Sequence, residues 1–278
     1  MTSKLLALYG LKWNPFTSSV PVDALQVGPR VDSFRRRVLQ LADEGGFALV
    51  TGAPGTGKSA SLRLLADHLS AQRDLKVGLI TRPQANLADF YREIGELFAV
   101  QLRPHNRWGG TKILRQCWQT HIDSALARPV LIIDEAQEMR PALLAELRLL
   151  TSARLDSHIL LTVVLAGDGR LLERLRTEEF LPLDSRIRVR LPLDRATPES
   201  LQACLKHAMV QAGAAALMTV EVIATLADHA NGNLRTLMNM ADNLLSLAAE
   251  RDAQKIDEGL FFELYDDAPV KAAAGRRR

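Results

Sequence analysis

Cysteine is scarce in this sequence. The chain has 278 residues and only two cysteines, Cys117 and Cys204, which are far apart. A disulfide framework or a thiolate zinc site needs more cysteines at closer spacing, so neither is expected. The six histidines show no metal-ligand spacing such as His-Glu-x-x-His. Any metal is therefore expected to arrive together with another ligand.

Long apolar runs are also missing. The strongest run, Ile159 to Ala166, is interrupted by Thr162 and is much shorter than the roughly 18 residues of a membrane-spanning helix. Near the start, Trp13, Asn14 and Pro15 stand where a signal peptide would carry a small-residue cleavage site. We therefore expect a cytoplasmic protein with no membrane partner.

Neither sign of charge dominates the sequence, which has a formal net charge of +3. This weak positive charge is compatible with a nucleic acid partner but does not indicate one. Apolar residues make up 47% and charged residues 24% of the chain, which is typical of a folded globular protein. The length allows one large domain, or a main domain with a smaller companion.

Short β-branched runs alternate with longer helical patterns from residue 46, and this alternation is typical of βαβ units with a parallel sheet. Most predicted strands are continuously apolar, as expected of strands that are buried on both faces. The predicted strands are Phe47–Thr51, Val77–Thr81, Val130–Asp134, Ile159–Ala166 and Ile187–Leu191. The helices predicted between them are Lys58–Ser70, Leu87–Ala99, Thr111–Leu126 and Pro141–Leu150.

The strand pattern ends near Leu193, and amphipathic helices follow. They are predicted at Pro198–Ala212, Val220–His229, Leu234–Glu250 and Glu258–Leu264. This change predicts four parts: a segment over 1–45 that leads into the core, an α/β core over 46–193, a helical domain over 194–267, and a basic, disordered tail over 268–278.

A glycine-rich motif lies between the first predicted strand and the helix after it. Its sequence, Gly-Ala-Pro-Gly-Thr-Gly-Lys-Ser, matches the phosphate-binding pattern G-x-x-x-x-G-K-[ST]. In such a loop backbone N–H groups converge on phosphate oxygens, Lys58 adds a positive charge, and the Ser59 hydroxyl binds Mg²⁺. The motif therefore predicts a site for ATP with Mg²⁺. The residues assigned to it are Gly52, Ala53, Pro54, Gly55, Thr56, Gly57, Lys58, Ser59 and Ala60.

Two carboxylates, Asp134 and Glu135, follow the apolar strand at residues 129–133. The carboxyl ends of parallel strands form the edge where such sheets bind ligands. We expect Asp134 to bind Mg²⁺, and Glu135 to polarise a water for attack on the γ-phosphate. The alternative is a solvated acidic turn that follows a core strand.

The combination of Gly-Ala-Pro-Gly-Thr-Gly-Lys-Ser with an apolar strand that ends in Asp-Glu resembles the AAA+ ATPases, and the resemblance covers nearly the whole chain. It implies an α/β P-loop fold with a five-stranded parallel sheet core and a C-terminal helical lid. It further implies homo-oligomeric rings or filaments with ATP between neighbours, and a hydrolysis that is slow and depends on assembly.

The resemblance also implies roles for three further residues. Asp168, at the end of the fourth strand, corresponds to a γ-phosphate sensor, although the family more often has Asn, Thr or Ser there; an ordinary polar turn is the alternative. Arg186 corresponds to the arginine finger that joins Lys58 and Glu135 in catalysis, with the neighbouring strand arginines 188 and 190 as rivals. Arg235 corresponds to the nucleotide-sensing arginine of the lid, and a solvated residue in a capped helix start is the alternative.

The segments Tyr9–Phe16 and Asp134–Gln137 resemble two related groups: secretion ATPases of the ExeA type and the ATP-binding helpers of DDE transposases of the TniB and TnsC type. Secretion members look like longer chains with a transmembrane segment and a periplasmic region, and this sequence has neither. The segments 90–93, 103–108 and 217–219 also resemble the stand-alone ATPases found beside transposase genes, so the transposition helpers are favoured. The segments Tyr9–Phe16 and Val27–Arg30 also fall where the family lines its adenine pocket; core packing is the alternative.

This resemblance implies assembly on duplex DNA, largely independent of its sequence, and a DDE-type transposase as partner. Phosphate contacts from Lys and Arg would supply most of the DNA affinity. Candidates are the arginines 35–37, the loop Arg103–Arg107 and the end Arg276–Arg278, although a solvated helix face explains the first group equally well. A secretion-associated regulator, or a nucleotide-gated scaffold with little hydrolysis, remains as an alternative.

Overall fold

The computed structural model describes residues 2–100, 107–124, 127–153 and 158–266. The chain forms two compact units, of which the core unit comprises residues 27–194. The helical unit joins the first 26 residues to the chain from residue 195 onward. The sequence-based division instead placed residues 1–45 in one segment next to the core. The tail predicted over 268–278 lies outside the described residues.

A five-stranded parallel sheet forms the centre of the core unit, which confirms the predicted fold class. Its order is β2-β3-β6-β1-β7, and a separate antiparallel pair joins β4 to β5. The strands are β1 (Gly46–Gly52), β2 (Leu75–Ile80), β3 (Arg128–Ile133), β4 (Ser152–Ala153), β5 (His158–Ile159), β6 (Thr162–Gly167) and β7 (Ile187–Leu193).

The strand predicted as Ile159–Ala166 is divided in the structure. Ile159 belongs to β5 and pairs with Ser152, whereas β6 begins at Thr162 and pairs with β1 and β3. Between them the backbone N–H of Leu160 donates to the carbonyl of Thr151 over 2.7 Å. The chain therefore changes partners within a continuous apolar run. Apolar character alone predicts burial and does not show where the pairing changes.

Helices cover both faces of this sheet. Because strand side chains alternate between faces, Phe47 and Leu49 pack into one hydrophobic cluster, and Ala48 and Val50 pack into the other. This double burial explains why the strands are continuously apolar and why polar residues collect at strand ends. The helices are α2 (Pro29–Glu44), α3 (Lys58–Ser70), α4 (Leu87–Leu97), α5 (Arg107–Asp123), α6 (Pro141–Thr151), α7 (Gly169–Leu175) and α8 (Leu181–Asp184).

The helical unit has its own hydrophobic core, to which the start of the chain contributes. Leu11 and Phe16 are buried in that core, and the Tyr9 hydroxyl donates to the Ala253 carbonyl over 2.9 Å. Tyr9 and Phe16 thus pack in a hydrophobic core, which was the alternative to their lining an adenine pocket. The helices are α1 (Thr2–Tyr9), α9 (Pro198–Ala212), α10 (Val220–His229), α11 (Leu234–Glu250) and α12 (Glu258–Asp266). Within the described ranges no helix combines the length and the apolar character needed to cross a bilayer.

Candidate nucleotide site

The glycine-rich loop connects the end of β1 to the start of α3, at the carboxyl edge of the sheet. Gly55 and Gly57 have φ angles of 83° and 96°, a left-handed conformation that other residues adopt only at a cost. A Cβ atom on Gly52 would lie only 2.6 Å from the carbonyl oxygen of Leu193. The glycines therefore permit a tight turn that presents the N-terminus of α3, where anions are stabilised.

The Lys58 side chain folds back onto this loop. It is 6% exposed, and its Nζ donates to the carbonyl oxygens of Gly52 over 2.8 Å and Ala53 over 3.2 Å. Thr56 closes the same turn, since its hydroxyl donates to Ala53 over 2.9 Å. The loop thus carries a buried cation beside a helix N-terminus, which is an arrangement that fits an anionic phosphate group.

Ser59 and Asp134 come together from different elements. The Ser59 hydroxyl, in the first turn of α3, donates to Oδ2 of Asp134 over 3.1 Å. Asp134 follows β3 directly, and its own N–H donates to the Ile80 carbonyl of β2 over 2.9 Å. Hydroxyl and carboxylate oxygens are ligands that Mg²⁺ prefers, so this pair fits the ion that the sequence predicts.

The carboxylates of Glu135 and Asp134 have different hydrogen-bond partners, although the two residues are adjacent. The backbone of Glu135 is left-handed, with φ 51° and ψ 39°, and this residue precedes a short 3-10 helix at Ala136–Glu138. Its Oε2 accepts a hydrogen bond from Nε2 of Gln137, whereas Oδ1 of Asp134 accepts from the Glu135 N–H. The two carboxylates therefore have different partners, as a division between metal binding and base catalysis would require.

Asp168 lies directly after β6 and caps helix α7. Its Oδ1 accepts from the Arg170 N–H over 2.9 Å, and its Oδ2 forms an ion pair with the Arg170 guanidinium over 2.9 Å. Burial raises the pKa of Asp168, but the hydrogen bonds and charge of Arg170 outweigh that effect and lower the pKa below its usual value. The Asp168 side chain is thus engaged with Arg170, and its sensor role stays a prediction.

The three candidate finger arginines lie between α8 and β7 or on β7 itself. Arg188 is ion-paired with Glu44 over 2.6 Å, and Arg190 with Asp184 over 2.9 Å. Arg186 precedes β7 and is partly buried. Both rivals are thus held by acidic residues of the core unit, and the role of Arg186 in a neighbouring copy stays a prediction.

Arg235 occupies the first turn of α11 in the helical unit. Asn233 caps this helix, because its Oδ1 accepts from the Thr236 N–H over 3.1 Å. Gly232 has a φ of 76°, and a Cβ there would lie 2.7 Å from the Cβ of Arg195, so the turn before the helix requires glycine. The local capping chemistry is present, and the nucleotide-sensing role of Arg235 stays a prediction.

Two of the candidate DNA-binding arginines are engaged within the core unit. Arg35 and Arg36 both form ion pairs with Asp32, over 2.8 Å and 3.2 Å. The hydrogen bond from Arg35 is the main cause that lowers the pKa of Asp32. Residues 103–106 and 276–278, the other candidates, lie outside the described residues, and Arg107 begins helix α5.

The sequence analysis assigned no catalytic or binding role to Gln137 or Arg170. Both contact the predicted site residues: Gln137 binds Glu135, and Arg170 binds Asp168 and also Glu138 over 2.9 Å. A glutamine two residues after a carboxylate and an arginine two residues after an aspartate are common in sequences. Only the arrangement of strand ends gives these residues a place at the site.

The sheet order, the loop after β1 and the acidic pair after β3 define a P-loop nucleotide-binding unit. Residues 41–175 match the AAA domain family. This region is therefore an AAA-type P-loop ATPase domain.

The chain is similar to the General secretion pathway protein A of Aeromonas hydrophila, with 30% identity over 256 residues. The match covers 90% of this chain and 46% of that protein, so the chain spans less than half of its relative. Cdc6p from Pyrobaculum aerophilum has a TM-score of 0.69 at 16% identity, covering 87% of this chain and 67% of that one. The Aeropyrum pernix ORC1 protein in complex with DNA has a TM-score of 0.67 at 18% identity, covering 89% and 68%. The likeness to these solved structures shows the AAA+ fold.

Proposed function

We propose that the protein hydrolyses ATP and uses hydrolysis to control its own assembly on duplex DNA, where it recruits and regulates a DDE-type transposase. The observation that carries the catalytic part is the pair of adjacent carboxylates with separate partners. Asp134 accepts a hydrogen bond from Ser59 of the phosphate loop, and Glu135 accepts one from Gln137.

Each residue then has a distinct task. Lys58 would exchange its two carbonyl partners for phosphate oxygens, and Ser59 and Asp134 would hold Mg²⁺. The ion would supply positive charge that offsets the negative charge of the phosphates. Glu135 accepts a proton from the attacking water, for which its carboxylate must be oriented toward that water.

Arg186 and the two sensor residues would link hydrolysis to assembly. An arginine supplied by a neighbour stabilises charge that develops on the γ-phosphate, and such fingers raise turnover by about 10³- to 10⁵-fold. Hydrolysis by an isolated copy should accordingly be slow. Asp168 and Arg235 are proposed to report the state of the nucleotide.

The DNA part of the proposal is supported by two likenesses. The segments Tyr9–Phe16 and Asp134–Gln137 resemble the transposase helpers as well as the secretion ATPases, and the ORC1 protein solved in complex with DNA has a similar fold. Lys and Arg contacts to phosphates would make the binding independent of sequence and sensitive to salt.

A secretion-associated regulatory ATPase is the second candidate. The specific observation in its favour is the 30% identity to General secretion pathway protein A over 90% of this chain. The catalytic residues would act in the same way, but the partner would belong to a secretion machinery.

Hydrolysis is tested by phosphate release over a series of protein concentrations, with Glu135→Gln as the matched variant. Turnover per wild-type chain should rise with concentration, while Glu135→Gln should bind ATP and hydrolyse it at least about 100-fold more slowly. Equal, slow hydrolysis by both proteins would instead indicate a nucleotide-gated scaffold.

The partner is tested by duplex DNA binding with a non-hydrolysable ATP analogue over a range of salt concentrations. We expect analogue-dependent binding that weakens steeply with salt, and ordered rings or filaments on DNA in electron micrographs. A protein that stays monomeric and does not bind DNA at any salt concentration would contradict the transposition role and favour the secretion candidate.

A further inference from the structure

The Gln137 side chain joins two strand ends of the sheet. It is 7% exposed and lies in the 3-10 helix that follows β3. Its Nε2 donates to Oε2 of Glu135, and its Oε1 accepts from the backbone N–H of Asp168 over 3.2 Å. One buried amide thus connects the proposed base to the backbone at the end of β6.

The chemistry of these partners fixes which way the amide faces. The backbone N–H of Asp168 can only donate, so it must meet the Gln137 oxygen. The amide nitrogen is then directed to the Glu135 carboxylate, which when ionised can only accept. Reversing the amide would place a donor against a donor and an acceptor against an acceptor.

The surrounding backbone makes room for this connection. A Cβ on Gly167 would lie 2.7 Å from Oε1 of Gln137, so a larger residue at the end of β6 would displace the amide. On the other side, the left-handed backbone of Glu135 costs about 1–2 kcal/mol and is held by the Glu138 N–H, which donates to the Glu135 carbonyl over 2.8 Å. Both features keep Glu135 and Gln137 in contact.

We propose that Gln137 is a positioning residue for ATP hydrolysis, which holds the Glu135 carboxylate and ties its orientation to the backbone at the end of β6. This inference rests on the proposed hydrolytic function of Glu135. A free glutamate side chain samples several rotamers, and a misplacement of about 1 Å at a reacting group can lower turnover by about 10²-fold. Gln137 would therefore affect the rate through Glu135.

Two substitutions separate the two hydrogen bonds. Gln137→Met has a similar length and forms neither bond, whereas Gln137→Glu keeps an acceptor for Asp168 and replaces the donor to Glu135 by a carboxylate that repels it. In both variants kcat should fall by about 10- to 100-fold, and KM for ATP should stay within about 2-fold because Lys58 and Ser59 are intact. The matched control is Gln119→Met, since the partly buried Gln119 donates to Asp123 over 2.7 Å on α5 of the same unit.

A second measurement does not depend on ATP hydrolysis. Hydrogen exchange at the Asp168 backbone amide, followed by NMR in the nucleotide-free protein, reports the bond to Oε1 directly. Exchange should be faster in Gln137→Met and unchanged in Gln137→Glu and in Gln119→Met. A residue that only fills space would not give this pattern, in which Gln137→Glu loses turnover but keeps amide protection.

The outcomes distinguish this inference from the proposed function. If Glu135→Gln abolishes hydrolysis but Gln137→Met keeps kcat within about 2-fold of wild type, hydrolysis stands and the positioning role is wrong. If Glu135→Gln hydrolyses ATP as wild type does, the proposed function fails, and the positioning role fails with it. Unchanged Asp168 exchange in Gln137→Met would overturn the connection to β6 whatever the turnover.

Discussion

Helix α3 of the core unit and the main helices of the helical unit begin in different ways. Helices α9, α10 and α11 are each capped by a side chain, from Thr197, Thr219 and Asn233, which accepts a backbone N–H of the first turn. Helix α3 follows Gly57, which has no side chain to serve as a cap. A cap stabilises its own helix by satisfying an N–H group, whereas an uncapped N-terminus keeps those groups for an anion. The comparison separates a helix start built for stability from one built for binding.

The largest expected effect comes from removing the cation beside the uncapped helix, in Lys58→Ala. Charge-assisted hydrogen bonds contribute about 1.5–3 kcal/mol each, so the loss of contacts to two phosphates should weaken ATP binding by about 100-fold or more. Titration with a fluorescent ATP analogue measures this change. Lys76→Ala, on β2 of the same unit, is the control and should bind as wild type does. Unchanged affinity in Lys58→Ala would mean that the loop is not the phosphate site.

Two glycines, one in each unit, have the same backbone conformation but different expected roles. Gly57 starts α3 with φ 96°, and Gly213 ends α9 with φ 94°. Alanine at either position should lower the free energy of unfolding by about 1–2 kcal/mol, because both need the left-handed conformation. Only Gly57→Ala should also weaken ATP binding. Chemical denaturation and analogue titration of both variants test this, and an equal loss of ATP affinity in Gly213→Ala would contradict the assignment of the binding loop.

Capping in the helical unit gives a smaller effect. Thr219→Ala removes the hydroxyl that accepts from Val222 over 3.3 Å and should lower the free energy of unfolding by about 1 kcal/mol. Thr219→Ser keeps the hydroxyl and should restore most of that loss in urea denaturation. ATP affinity should be unchanged in both, and a loss of affinity in Thr219→Ala alone would show that helix stability and nucleotide binding are linked.

The same contrast explains which features could be predicted from the sequence. Caps, first-turn prolines and the glycine-rich motif act within a few residues, so the bounds of α3, α9, α10 and α11 agree with those predicted. The parallel sheet was predictable because burial on both faces requires continuous apolar strands.

Features that depend on distant partners were not predictable in the same way. The change of pairing after Ile159 depends on which strand lies beside it, and the packing of the first 26 residues with the helical unit depends on a core formed far along the chain. The bond from Gln137 to Asp168 exists because β6 lies next to β3 in the sheet. No local pattern reports that neighbour relation.

The smallest expected effect concerns Asp168, which caps α7 and also carries a charge at the carboxyl edge of the sheet. Because Arg170 lowers the folded-state pKa of Asp168, its ion pair stabilises the fold above the unfolded pKa of about 3.9, and this stabilisation is lost as pH falls through the folded pKa.

Asp168→Asn keeps a capping side chain but removes the charge, so it isolates the ion pair from the cap. The difference in unfolding free energy between wild type and Asp168→Asn should be below about 1 kcal/mol at pH 7, because Arg170 is largely exposed, and should shrink toward pH 3. Urea denaturation at both pH values measures it, with Asp184→Asn, the partner of Arg190, as the control for loss of an edge ion pair. A wild type that is less stable than Asp168→Asn at pH 7, with the gap closing toward pH 3, would show that the charge of Asp168 destabilises the fold, as expected of a side chain placed for binding rather than for capping.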